Sequence, residues 1–493
     1  MPPEPARLFR SFASRNVAVL GLGRSGMACA RTLADAGANL VAWDDDATQR
    51  AKGTAAGIRI QGPTWGQGCD APDLLIVSPG IPHRYPEPHP VVAAARAASV
   101  AIDNDIGLFF RSLAVDCPAA DRPRVVTITG SNGKSTTAAL LHHLICACGK
   151  TVHLAGNIGF PVGEIKAVSG DEIVVLELSS YQCELASCLD PDLGIFLNFS
   201  PDHLERHGGI EGYLAAKQRM LAGSRLNSAI IGMDEAEGRM IADATVARIG
   251  REQVIGISSR EVVGQGPAIL CREDHLILKR SNDGEVKVDL AGCRGLRGQH
   301  NAFNAAAALA AMDVLDIPIK GVADPLMSFS GLPHRSQHVG TYGGITIIND
   351  SKATNAASAL QSLRAFEKIR WIAGGRAKDD GIATITDRLE EVRKAYLIGE
   401  SAEEFSRQLA TTPYEICQTM ARAVMAAVRD ASHGETILLA PAAASFDQYR
   451  DFEDRGEDFV ARIRDCLKHD QGGFKNRSDD GRTGRKRQPF APK

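Results

Sequence analysis

No apolar stretch among the 493 residues approaches the roughly 18–20 needed to span a bilayer, so no membrane-embedded role is expected. Neither charge sign dominates. Lys and Arg number 56 against 59 Asp and Glu, a formal net charge of −3, which gives no electrostatic reason to expect nucleic acid or a membrane surface as partner. No CxxC pair suggests zinc, and eleven cysteines, scattered singly apart from Cys146 and Cys148, argue against a disulfide framework. The opening MPPEPARLFRSFASRN lacks the apolar core of a secretory signal. These absences lead to the expectation of a cytoplasmic protein in a reducing compartment. What is present is ordinary globular composition, 44% hydrophobic and 23% charged, on a chain long enough for about three domains.

The most informative stretch is VVTITGSNGKSTT, residues 125–137. A β-branched run stops at Gly130; Ser131, Asn132, Gly133, Lys134 and Ser135 follow, and Thr136 leads into the helical pattern TTAALLHHLICA. A strand feeding a glycine turn and a helix N-terminus forms an anion cradle of backbone N–H groups, to which the lysine adds a charge. Ser135 or Thr136 stands where a Mg²⁺ ligand is needed. The spacing is GxxGKS, two residues shorter than GxxxxGK[ST], because position 128 is Ile. The segment predicts a nucleoside triphosphate site.

The apolar pattern divides the chain into α/β segments. Residues 1–105 open with strand, glycine turn, helix and second strand in NVAVLGLGRSGMACARTLADAGANLVAWDD, followed by strand patterns in DLLIVSPG and SVAIDND. Residues 106–331 carry the phosphate loop and the short runs EIVVLELSS, DLGIFLNFS and SAIIGM, a mostly parallel sheet with crossover helices. Between about 245 and 297, AILCRE, HLILKR and EVKVDL predict a small antiparallel insertion. Residues 332–468 restart the rhythm with GITIIND, IRWIAGG, KAYLIGE and ETILLAP. The tail 469–493, with seven Lys or Arg against three Asp and little to bury, reads as disordered.

GLGRSG at 21–26 fits GxGxxG, with Asp44 closing the next strand. That pattern serves a dinucleotide, but its backbone N–H groups serve any diphosphate, including that of a nucleotide-sugar. With a second nucleotide loop about a hundred residues on, an enzyme of two nucleotides is the better reading. In open α/β sheets ligands bind beyond the carboxyl ends of strands. Residues there are therefore candidates: Asn157, Glu177, His203, Asp350, Lys352, Lys378, Ser445 and Phe446. Glu177 interrupts an apolar strand, where a carboxylate needs a cation. Arg335 in GLPHR stands at a domain junction, from which an arginine can reach a γ-phosphate. Helical spacing alone puts Lys217, in GYLAAKQRM, on the surface.

Taken together, TGSNGKSTT, LELSSYQ, NFSPDHLERH, YLAAKQRM, GQHNAFNAAAALAA, GLPHR, NDSKATN and PAAASFDQYRDFEDRG resemble the Mur ligase family over about residues 15–468, and within it the D-glutamate-adding branch. The phosphate loop is shared with folylpolyglutamate synthetases; NDSKATN and ASFDQYRDFEDRG are more specific. The resemblance implies an ADP-forming acid–amino-acid ligase of peptidoglycan precursor synthesis, acting as a monomer on UDP-N-acetylmuramoyl-L-alanine and D-glutamate through an acyl phosphate. It also implies three domains: a Rossmann-like N-terminal domain for the UDP-sugar, a central P-loop ATPase domain, and a Rossmann-like C-terminal domain that admits the amino acid and closes on ATP.

By matching motifs, Gly23, Arg24, Ser25, Asp44, Ser78, Gly80 and Asn157 would meet the UDP-sugar. Gly130, Ser131, Asn132, Gly133, Lys134, Ser135, Thr136, Asn301, Arg335, Asp350 and Lys352 would meet ATP. Thr354, Lys378, Ser445 and Phe446 would form the D-glutamate pocket. Two Mg²⁺ ions are implied, one on Ser135 and Glu177, the other on His203 and Lys217, where the family's lysine is carbamylated; this reverses the surface reading of Lys217. Lys134, His203, Lys217 and Lys352 would carry the chemistry. The family often has a cysteine where this chain reads Pro441-Ala-Ala-Ala-Ser445, but Ser445 is kept. The rivals are another amino-acid ligase of the superfamily, L-glutamate-adding or a folylpolyglutamate synthetase, and an NAD-binding oxidoreductase. The GLGRSG domain argues against the folate enzyme, and nothing after residue 110 suggests a hydride acceptor site.

Overall fold

The structure, a computed structural model, describes residues 5–62, 71–202, 204–260, 266–279, 285–377, 381–385, 389–409 and 411–469. The chain forms two compact units, Met1–Ala291 with Asn301–Leu326, and Gly292–His300 with Met327–Lys493. Of the sequence expectations, His203, Lys378 and the tail from residue 470 lie outside the described residues.

The first unit holds two large sheets. One has four parallel strands in the order 39–43, 16–20, 74–77 and 101–103. Its strand Leu74–Val77 is buried throughout, as a parallel strand covered on both faces should be. The other has nine strands, in the order 285–289, 275–279, 268–271, 254–258, 228–232, 193–196, 124–129, 173–177 and 152–156. From 254–258 to 152–156 all neighbours are parallel. The three strands expected to form a small antiparallel insertion are antiparallel to one another and extend this sheet, which Ala268–Cys271 joins by pairing in parallel with Val254–Ser258. The strand Val254–Ser258, which bridges the two regions, escaped the sequence reading. A short pair, Ala6–Arg7 with Ala167–Val168, completes the unit.

The second unit is built on six strands in the order 337–342, 345–349, 436–439, 369–374, 392–398 and 414–418, parallel except for the antiparallel first pair. Apolar cores cover both faces, one around Trp371 and Phe405, the other around Tyr396 and Phe459. The structure is therefore mixed α/β with mostly parallel sheets, and the candidates Glu177 and Asp350 stand at the carboxyl ends of strands.

Candidate active site

The strand Arg124–Thr129 runs directly into the loop 130–133 and the helix Lys134–Ala147. Gly130 and Gly133 take φ of +151° and +83°, a region that disfavours a side chain. The loop is pinned from outside. Asn198 Oδ1 accepts from the Asn132 N–H at 2.8 Å, the Asn198 carbonyl from Ser131 N–H at 3.0 Å, and Ser131 Oγ donates to the Ser200 carbonyl at 2.8 Å. Lys134 Nζ donates back to the Gly130 and Ser131 carbonyls at 2.9 and 2.8 Å, so its charge stands over the cradle. Thr136 is half-buried on the first turn of the helix.

Two polar atoms beside this loop are buried and have no hydrogen-bond partner among the described residues: Ser135 Oγ and Glu177 Oε2. Glu177 ends the strand Ile173–Glu177, is fully buried, and pairs in register with Ile128 of the phosphate-loop strand. Its other oxygen, Oε1, accepts from Asn157 Nδ2 at 3.0 Å. An orphaned carboxylate oxygen in the interior is costly without a cation. The donor set, a hydroxyl and a carboxylate, is the hard-oxygen kind that Mg²⁺ takes beside phosphates, so these residues fit the ion. Among the described residues no three His, Cys, Asp or Glu side chains gather as a metal site. Asn157, expected at the UDP-sugar, gives its amide to Glu177.

Lys217 corrects the reading from helical spacing. It is 1% exposed on the helix Ile210–Gln218, where the chain packs it inward over the Tyr213 ring, 4.7 Å from its centroid. Nζ donates to the Gly130 carbonyl at 2.7 Å. Burial, and then the neighbouring charge of Lys134, lower its pKa to about 7.

At the four-stranded sheet the glycine loop is shaped as a diphosphate loop requires. Gly21 has φ +91°, and a Cβ at Gly26 would collide with the Gly21 carbonyl. Gly23 and Arg24 are exposed at the helix start, and Arg24 also donates to the Gly159 carbonyl. Ser78 Oγ donates to the Gly21 carbonyl at 3.0 Å, and the Gly80 carbonyl accepts from Arg206. Asp44 accepts from the Leu22 N–H of the loop at 2.6 Å and from the Asp46 N–H of its own turn at 2.9 Å. Ser25 lies against Asp105, a buried carboxyl that sequence reasoning missed; burial raises its pKa to about 6 despite the bonds from Ile106 N–H and Ser25.

Other supporting residues also went unread. Asn304 Oδ1 sits where a Cβ at Gly133 would be, and its amide donates to Asn301 Oδ1 at 3.1 Å; both asparagines are buried on the helix Gln299–Val314. Their i,i+3 spacing in HNAFN was the available signal. Glu184 gathers two histidines: His207 Nδ1 lies 2.7 Å and His83 Nε2 3.5 Å from its oxygens, with all three side chains largely buried.

The second unit carries its own cluster. Asp350 follows the strand Ile345–Asn349 and is buried, accepting from Ser336 N–H at 3.1 Å and from Ser362 Oγ. Burial raises its pKa, against those two bonds and the nearby charge of Arg335. Lys352 Nζ lies 3.9 Å over the Phe452 ring. Thr354 is half-buried two residues further on, Ser445 is 3% exposed just after the strand Thr436–Leu439, and Phe446 beside it is 65% exposed.

Residues 128–312 match the Mur ligase middle domain, and 334–443 the glutamate ligase domain of Mur ligases. The chain is 50% identical over 460 residues to the UDP-N-acetylmuramoylalanine–D-glutamate ligase of Dinoroseobacter shibae, covering 93% of this chain and 99% of that one. It is 50% identical over 461 residues to the ligase of the same name from Ruegeria pomeroyi, with the same coverage. Among solved structures, UDP-N-acetylmuramate-alanine ligase from Thermotoga maritima superposes with a TM-score of 0.58 at 18% identity, over 92% of this chain and 100% of that one. A pseudomurein peptide ligase type C from Methanothermus fervidus gives 0.54 at 17% identity, with the same coverage. At such identities the likeness is one of fold.

Proposed function

The chain belongs to the Mur ligase family, and from that premise we propose that it joins D-glutamate to UDP-N-acetylmuramoyl-L-alanine at the expense of ATP, releasing ADP and phosphate, in cytoplasmic peptidoglycan precursor synthesis. The observation that carries the reading is the convergence of Lys134, Lys217, Ser135 and Glu177 on the Gly130 loop, in a chain half identical to D-glutamate ligases over nearly its whole length. Among the described residues no helix is long and apolar enough to cross a membrane. In this reading the enzyme works as a single chain with three functional segments, 1–105, 106–331 and 332–468, one to each large sheet.

A carboxylate is a poor electrophile, and phosphorylating it creates a leaving group that an amine can displace. The chain's task is then to bring anions together and to exclude water from an acyl phosphate. The loop 130–136 binds the ATP phosphates through its N–H groups, with Lys134 offsetting their charge. Asn301, Arg335, Asp350 and Lys352 complete the nucleotide contacts. Gly23, Arg24, Ser25, Ser78 and Gly80 hold the uridine diphosphate, with Asp44 keeping their loop in shape. Thr354, Ser445 and Phe446 receive D-glutamate, with Lys378 on one of its carboxylates. Ser135 and Glu177 would hold one Mg²⁺, and His203 with a carbamylated Lys217 a second; bound there, the ions neutralise charge between the γ-phosphate and the attacking carboxylate.

Phosphate release tests the proposal, with UDP-N-acetylmuramoyl-L-alanine and D-glutamate, L-glutamate or no amino acid. Release that requires both the sugar peptide and D-glutamate is the expected result. Release with L-glutamate alone would replace the pocket assignment, and none with either would remove the ligase reading.

A further inference from the structure

Arg455 is 1% exposed on the helix Phe452–His469, and its guanidinium makes no ion pair with a carboxylate among the described residues. Its donors go to three loops at the carboxyl edge of the second unit's sheet. Nε donates to Ser351 Oγ at 3.0 Å and Nη2 to the Ser351 carbonyl at 2.8 Å. Nη1 donates to the Ala443 carbonyl at 3.0 Å and to the Gly374 carbonyl at 3.4 Å. Ser351 lies between Asp350 and Lys352, Ala443 stands two residues before Ser445, and Gly374 ends its strand four residues before Lys378 in sequence. Backbone has been cleared for this approach. Gly374 and Gly375 have φ of +125° and +135°, and a Cβ at Gly375 would sit 3.1 Å from Nη1 and collide with the Ala444 carbonyl.

Burying a cation without a direct ion pair is costly even with the Asp447 carboxylate acting on it, and a helix that merely packed here would do so with an apolar side chain. A planar fork of five donors is suited to fixing several carbonyls at set angles, which lysine cannot do. Three of the four bonds end on Ser351 and Ala443, within two positions of proposed substrate contacts, and the fourth ends on Gly374. We propose that Arg455 is a positioning residue that sets the nucleotide loop at Asp350–Lys352 and the amino-acid loops at Gly374 and Ala443 in one mutual register. The proposal rests on the ligase reading for the identity of the substrates, but not for the geometry.

The test compares wild type with Arg455→Lys and Ser351→Ala by steady-state kinetics for all three substrates and by equilibrium binding of a fluorescent ATP analogue. For Arg455→Lys, KM for ATP and for D-glutamate each rise roughly tenfold, the scale of losing one or two charge-assisted bonds, while KM for the UDP-sugar peptide stays within about twofold. Ser351→Ala cuts one bond without emptying the site, and raises KM for ATP but not for D-glutamate. If Arg455→Lys changes only kcat or melting temperature, or raises all three KM values together, Arg455 is structural and the proposal fails. If Arg455→Lys does not fold, unchanged ATP kinetics in Ser351→Ala sink it. If wild type shows no D-glutamate-dependent turnover, the ligase reading fails separately. The ATP analogue still decides the geometry, weaker binding to Arg455→Lys supporting it and equal binding overturning it.

Discussion

Lys134 and Lys217 donate to the same backbone oxygen, the Gly130 carbonyl, at 2.9 and 2.7 Å. Two ammonium groups sharing one acceptor repel, and Lys217 is the buried one, so it is Lys217 whose proton is weakly held, with a pKa lowered to about 7 by burial first and Lys134 second. At neutral pH a large fraction is free amine, the form that takes up carbon dioxide. Lys217→Ala is expected to lose about a hundredfold or more in turnover, the scale of removing one preorganised charged group, and to regain part of it with added formate or acetate. Lys217→Arg, always charged, should not be rescued. Turnover of Lys217→Ala equal to wild type, with or without these anions, would rule the carbamate out.

Asn157 and Glu177 make a separable prediction. The amide holds Oε1 at 3.0 Å, and Oε2 has no partner among the described residues and can face an ion. Asn157→Ala should raise the Mg²⁺ concentration for half-maximal activity by about 10- to 100-fold, the usual effect of losing a ligand's orienting partner, with turnover restored at saturating Mg²⁺. Glu177→Gln should not be restored. A Mg²⁺ titration of both variants distinguishes orientation from ligation; an unshifted curve for Asn157→Ala would mean that its amide does not orient the ligand.

These pairs also show what a sequence discloses. The strand before Gly130 and the buried strand before Glu177 are continuous β-branched runs that admit one assignment, so the loop and the carboxylate were legible. The strands Val152–Gly156, Gln337–Tyr342 and Tyr414–Gln418 were not, because a histidine or several polar residues break their pattern at sheet edges. Lys217 was illegible from spacing because its burial comes from the Gly130 loop, 87 residues away in sequence, with Tyr213 one turn back on its own helix packed against it. Arg455 acts on backbone brought near by folding, for which a linear pattern has no signal.

Glu184 sets an acid limit on stability. Burial alone would raise its pKa, but His207 and His83 outweigh that and hold it down to about 2, against 4.5 for an ordinary glutamate. A depressed carboxylate stabilises the fold above its unfolded pKa, and the contribution disappears as pH falls from about 4.5 to about 2. Its size is on the order of 3 kcal/mol when the pair is intact. Glu184→Gln should therefore lower the melting temperature at pH 6, have a shallower dependence below pH 4.5, and converge with wild type near pH 2. Parallel melting curves for the two proteins across that window would show that the carboxylate is not coupled to folding.

Gly133 is the point at which backbone conformation and nucleotide binding are hardest to separate, and a cycle of variants separates them. Its φ of +83° would cost a residue with a side chain about 1–2 kcal/mol, and the added Cβ would meet Asn304 Oδ1. Asn304 also accepts from Thr137 Oγ1 at 3.3 Å and donates to Asn301, so pushing it aside disturbs a proposed ATP contact as well as the helix start. Gly133→Ala should fold, lose a few degrees of melting temperature, and raise KM for ATP at least about tenfold. Asn304→Ala removes the obstacle while leaving the φ penalty. The double variant should therefore bind ATP better than the product of the two single effects, with a coupling of about 1 kcal/mol. Strict additivity would mean that Gly133 is required for its dihedral angle alone, and that Asn304 contributes to nucleotide binding through Asn301 rather than through the loop.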